Sequence, residues 1–224
     1  MPTRKSHPAR KGGPKRKAAH PYHHGDLREK LIAATEALIL ERGVDGFSLR
    51  EVARRAGVSP AAPAHHFGDT KGLLAEVALL GFKDFGDALQ AGDLRGGDNP
   101  RKRLDEQGIA YVTFALKNPA RFTLMFRRDK YEMTNPELQI VATRAFNILE
   151  NAVRAAEGLS PTDAMTPDAS GLLLATWSIV HGFAHLALGG ELEFAAQTRG
   201  GKDLILSSFL PLTLKHLPIP TPRK

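Results

Sequence analysis

An all-α fold is the class this sequence predicts, and three observations carry it. Apolar residues recur at helical spacing in one segment after another. Strand signals are nearly absent, with no long Val, Ile or Thr alternation and no Asn-Gly hairpin turn. The breaks fall at Gly and at Asn-Pro or Ser-Pro pairs. Together they predict a small three-helix head followed by a larger helical bundle.

Taken in order, Leu27, Leu31, Ala34, Leu38 and Ile39 form the apolar stripe of a first helix over 26–42, with Asp26 as its cap, Glu29 at capping-box spacing, and Gly43 as its stop. Ser48 and Glu51 form a Ser-x-x-Glu box that opens a second helix, whose inward residues are Leu49, Val52, Ala53 and Ala56. Gly57 ends it after two turns. Ser59 is then expected to cap a third helix running to Phe67, with Pro60 in its first turn. Asp69 caps a fourth, and Gly92 to Pro100 reads as a Gly/Asp-rich linker. Four or five further helices are expected, at about 100–117, 119–129, 135–157, 168–189 and 203–216. The expected division is a disordered basic arm at 1–21, a head at 22–72, a bundle at 73–217 and a frayed Pro-rich tail at 218–224.

Composition narrows the function classes. The 224 residues include no cysteine, which removes disulfides and thiolate metal sites and fits a reducing cytoplasm. The net charge of +7 comes from the arm: residues 1–19 hold seven Lys or Arg and no acid, while the remaining 24 basic residues balance 24 acidic ones. Such an arm buries little apolar surface and is expected to be disordered. It either binds polyanions by releasing counterions or serves as a solubilising tail. No apolar segment of signal-peptide type follows it. Residues 169–190 carry no Asp, Glu, Lys or Arg and are long enough to span a bilayer. Their His, Ser and Gly residues, and their acidic flanks at Asp168 and Glu191, favour a core or interface helix instead.

Residues 47–67 read FSLREVARRAGVSPAAPAHHF: two short helices joined at Ala-Gly-Val-Ser, the spacing of a helix-turn-helix. Ala53 permits close helix crossing, Gly57 the turn, and Val58 anchors it. The small side chains of Ala61, Ala62 and Ala64 suit deep entry into a major groove. Together with Tyr22-His-His-Gly-Asp-Leu-Arg28 and the His-His-Phe-Gly-Asp ending, this stretch resembles the TetR family of bacterial repressors over about Tyr22 to Phe82. Trp177-x-x-x-His181-Gly182 is similar to the Trp-His-Gly signature of one C-terminal branch of that family.

The resemblance implies a repressor that binds a palindromic double-stranded operator as a homodimer. The last two helices would form the dimer interface. A small-molecule effector in the larger domain would alter the spacing of the two heads through the helix starting near Thr70. The DNA-facing set it implies is Arg28, Ser48, Arg50, Ser59, Pro60, Ala61, Ala62, Ala64, His65, His66, Thr70 and Lys71. Ser48 and His66 match phosphate-contacting positions. Pro60, Ala61 and Ala62 fall at base-reading positions, where only apolar or close backbone contact is open to them. Many members have Tyr at the place of Ala64 and Lys at that of Thr70, and Pro63 must sit in a first turn or kink its helix. From Tyr22 to Ala75 seven basic residues meet seven acidic ones, so the head carries no net charge.

Phe114, Phe122, Met125, Phe126, Phe146, Trp177 and Phe183 are candidates to line a cavity or to form plain core. Phe122, Met125, Phe126, Trp177 and His181 are the leading ligand contacts, for a hydrophobic small molecule. His181 and His185 stand four apart, a spacing that can hold a metal, but Gly182 stands where zinc proteases need Glu. His20, His23 and His24 form a second cluster, suited to solvent or phosphate. Neither a nucleophile elbow, a Walker loop nor a dinucleotide fingerprint is present. The sequence implies no enzyme and no cofactor.

Overall fold

The structure, a computed structural model, describes residues 24–194, 204–217 and 219. The expected arm, the end of the Pro-rich tail and the start of the last helix lie outside those residues. Among the described residues there is no strand. The helices are α1 (His24–Arg42), α2 (Leu49–Ala56), α3 (Ala62–Phe67), α4 (Thr70–Gly96), α5 (Pro100–Lys117), α6 (Pro119–Met125), α7 (Pro136–Ala156) and α8 (Pro167–Leu188). A π-helical turn (Ile205–Phe209) then runs into α9 (Leu210–Leu214). Pro211 has no N–H to return to Ser207, which fits an irregular turn just before it.

α1, α2 and α3 close on a small core of Leu31, Ala34, Leu38, Val52 and Leu73, flanked by Leu27, Phe47 and Phe67. α4 is one continuous helix across the expected boundary. Its Leu73 completes the head core, whereas Leu74 and Val77 enter the large core of the body with Phe122, Leu124 and Met125. A third cluster, around Leu104, Val153 and Leu172, ties α5 to α7 and α8.

Caps explain most boundaries. Asn99 Oδ1 accepts from Lys102 N–H at 3.0 Å, Asn135 Oδ1 from Glu137 N–H at 2.9 Å, and Thr166 Oγ1 from Ala169 N–H at 3.1 Å. Each cap precedes a proline in the first turn, where its missing N–H costs nothing.

Four expectations need correction. α1 starts at His24, so Asp26 stands inside its first turn rather than ahead of it. α3 starts at Ala62 with Ala61 in the capping position and no side-chain cap; Ser59 instead accepts Ala62 N–H at its carbonyl, 3.0 Å away. The expected linker from Gly92 is helical to Gly96. A Cβ on Gly92 would stand 2.7 Å from the Glu106 carbonyl oxygen, and one on Gly96 would stand 2.4 Å from Arg103 Cα. These glycines let α4 and α5 touch backbone to backbone in a hairpin, which turns at Gly97 with φ 60°. Finally, α6 ends at Met125, and residues 126–134 form an irregular segment between α6 and α7.

Candidate nucleic-acid interface and effector cavity

The helix-turn-helix is built from local chemistry. Ser48 Oγ accepts from Glu51 N–H at 3.3 Å, and Glu51 turns its carboxylate to Arg42 and Arg54 at 3.2 and 2.9 Å. Those guanidiniums, Arg54 first, hold the Glu51 carboxyl below its ordinary value. Gly57 at φ 68° donates to the Arg54 carbonyl while Val58 N–H donates to Ala53, the double bond of a Schellman close. Val58 packs on the head core, as its place after the glycine demands. In α3, Pro63 is buried in the first turn, which spares the helix a kink. Pro60, Ala61, Ala64 and His65 are exposed and Ala62 and His66 half-exposed, on a short helix followed by Gly68 at φ 78°. Asp69 Oδ1 then accepts from Gly72 N–H at 2.8 Å and opens α4, placing Thr70 and Lys71 in its first turn.

Most cations of the head are already paired. Arg28 bridges Glu76 and lies 6.0 Å from the Phe67 ring centroid. Arg55 binds Glu41, depressing the Glu41 carboxyl mainly by hydrogen bonding. Lys71 reaches Glu132 at 3.1 Å. Exposed Arg50 has no ion-pair partner among the described residues. Ser48 and Thr70 are also accessible, the former exposed.

The second feature is a cavity of about 800 Å³ walled by α4, α5, α7, α8 and the 126–134 segment. Phe82, Phe85, Tyr111, Phe126, Phe146 and Trp177 supply its aromatic walls. On α8, His181 sits among them: Tyr111 Oη lies 2.7 Å from its Nδ1, and the Phe126 ring centroid is 4.6 Å away. Burial, and secondarily His185, hold the His181 imidazole below its ordinary value of 6.5. Burial likewise pushes the Tyr111 phenol far up. The pair is therefore neutral near pH 7. Gln107, only 2% exposed, donates from Nε2 to Asp93 at 2.6 Å and to the Ile148 carbonyl at 3.3 Å. Asp93 is itself gripped by Arg103 at 2.8 and 2.9 Å.

Of the sequence candidates, Phe126, Phe146, Trp177 and His181 line the cavity. Phe122 and Met125 are fully buried beside it, and Phe114 and Phe183 belong to the core. Sequence reasoning missed Gln107, Tyr111 and Arg128 as wall residues. Gln107 carried a signal: a polar residue on the inward stripe Leu104, Gly108, Tyr111 of α5. Among the described residues no group of three or more His, Asp or Glu is placed to hold a metal ion. One described helix, α8, is long and apolar enough to cross a membrane; Leu172, Leu173, Val180 and Phe183 of that helix are buried inside the body.

The sequence matches the family "Bacterial regulatory proteins, tetR family" over residues 31–77 and "Tetracyclin repressor-like, C-terminal domain" over residues 104–207. HTH-type transcriptional regulators BetI from Burkholderia thailandensis and Burkholderia mallei are 38% identical over 122 residues, 52% of this chain and 62% of theirs. The chain thus matches less than two thirds of those relatives' length. Among solved structures, a protein of unknown function from Rhodococcus sp. RHA1 is 32% identical with a TM-score of 0.67, over 89% of this chain and 99% of its own. A tetR-family regulatory protein from Rhodococcus RHA1, 19% identical, shares the fold with a TM-score of 0.65 over 87% and 98%. With the helix-turn-helix head and the helical body both matched, the chain belongs to the TetR family of transcriptional regulators, DNA-binding proteins rather than enzymes.

Proposed function

We propose that the chain is a cytoplasmic repressor that binds a palindromic operator as a homodimer and is released by a small, hydrophobic effector. The observation that carries the reading is a helix-turn-helix joined by one unbroken helix, α4, to the wall of an aromatic cavity. α3 enters the major groove, where Pro60, Ala61 and Ala62 make apolar or backbone contact with base edges. Ser48, Arg50, His66, Thr70 and Lys71 meet phosphates; Ser48 keeps its own hydroxyl hydrogen for this while its oxygen caps α2.

The outer face of α8 supports the dimer. Leu174 and Leu186 are 57% and 48% exposed, and a Cβ on Gly171 or Gly182 would meet nothing within 4 Å. Leu212 of α9 adds to the exposed apolar surface. Covering that stripe with the same stripe of a second copy gives an isologous interface.

Two connections carry the effector signal to the head. One is α4. The other is the 126–134 segment, whose Phe126 and Met133 line the cavity while Arg127 and Lys130 bind Asp45 beside α2. Sedimentation of the full chain with its operator duplex tests the reading. Two chains per palindrome are expected; a single chain at saturation overturns the homodimer.

A further inference from the structure

The cavity constrains the charge of its occupant, an inference that rests on reading it as an effector site. We propose that it takes an amphipathic anion, with a carboxylate or comparable group at Arg128 and an apolar body among the aromatic rings. Among the described residues no Asp or Glu stands in the cavity wall, and Arg128 is the lone one of fixed charge there. A cation held there would find no carboxylate and would face a guanidinium. An anion finds one opposite charge, at one place.

Arg128 is available for that role in a way its neighbours are not. Arg127 is bound to Asp129 at 2.9 Å and to Asp45 at 3.3 Å, and Lys130 bridges the same two acids. Among the described residues Arg128 has no ion-pair partner. Its side chain is also exposed, so it stands where the cavity opens to water, while Phe85 and Tyr111 are buried at the inner wall. Polarity thus runs from a charged mouth to an apolar interior, matching a molecule with one ionised end. The interior polar groups, the neutral Tyr111–His181 pair and Gln107, accommodate a hydroxyl or carbonyl on the body but do not neutralise a charge.

Three probes with ten-carbon chains separate the alternatives: decanoate, decanol and decyltrimethylammonium, each below its micellar concentration. Trp177 is the chain's single tryptophan and lines the cavity, so its fluorescence reports occupancy. Decanoate is expected to bind roughly three- to fivefold tighter than decanol, the gain of a solvent-screened ion pair, with the advantage shrinking as salt is added. The ammonium probe is expected to bind weakest. Arg128→Gln should erase the decanoate advantage while leaving decanol binding unchanged, which also certifies the variant's fold. Equal binding of decanoate and decanol, or an advantage that survives Arg128→Gln, overturns the anion and leaves the effector cavity standing. Tightest binding by the ammonium, with its charge over the aromatic faces, overturns it as well. No Trp177 response to any probe overturns the effector reading along with it.

Discussion

Gly96→Ala puts the α4–α5 hairpin to a test whose sign is not obvious. In an exposed helix the change stabilises by about 0.8–1.0 kcal/mol, because alanine loses less backbone entropy than glycine. Here the new Cβ would stand 2.4 Å from Arg103 Cα and 2.5 Å from Arg103 N. Those are backbone atoms of the neighbouring helix, so relief requires the two helices to part. Overpacking of this kind costs about 1–3 kcal/mol, and contacts this short with backbone belong at the upper end. The net expectation is a loss of about 2 kcal/mol, or roughly 4–8 °C in Tm for a chain of this size. Urea and thermal unfolding of the full chain, followed by circular dichroism, measure it. Melting at or above the parent temperature would refute the close approach and restore the linker that the glycines predict on their own.

Three further outcomes are expected. Leu174→Glu, at an exposed position on α8, should leave the chain folded but turn a dimer into a monomer in sedimentation, since an unpaired carboxylate would be buried between copies. Removing residues 1–19, with their seven cations, should weaken DNA binding and reduce the slope of log K against log salt; an unchanged slope would rule out a role for the arm. His181 has its folded value lowered by burial, so the unfolded chain takes up a proton near pH 6.5 that the folded chain refuses. Its contribution to stability is therefore intact above pH 6.5 and lost as pH falls below it. His181→Gln should flatten the fall in urea midpoint between pH 7 and 5.5, and an unaltered pH profile would contradict the half-buried, neutral imidazole.

What could be read from the sequence follows from how local each feature is. Ser48, Gly57 and Val58 act on residues within five positions of themselves, so cap, turn and anchor were all legible, and the family's motif reinforced them. The glycines at 92 and 96 read as a linker in the sequence because a loop and a close helix crossing ask for the same residue; only the partner backbone at Glu106 and Arg103 distinguishes them. The sequence extends α6 too far because Phe126-Arg-Arg-Asp contains no breaker, and its end is set instead by hydrogen bonds and ion pairs of the following segment. Tyr131 donates to the Met125 carbonyl at 2.6 Å, and Arg127 turns to Asp129 and Asp45. The cavity was half legible. Trp177 and His181 stood out as a motif, but Gln107, Tyr111 and Arg128 meet them from other elements, and their convergence is a product of the fold.

The pairing of Arg28, Arg42, Arg54, Arg55 and Lys71 with acids sharpens the picture of DNA recognition. On the proposed reading, a head with no net charge and an α3 poor in hydrogen-bonding side chains is expected to read DNA through close apolar contact, groove shape and the spacing of two heads. Selection of bound duplexes from a random pool by the full chain tests that claim most directly. Enrichment of two inverted half-sites with centres about 10 base pairs, or a multiple of that, apart is expected. Enrichment of a single unrepeated site, or none above the starting pool, would contradict it.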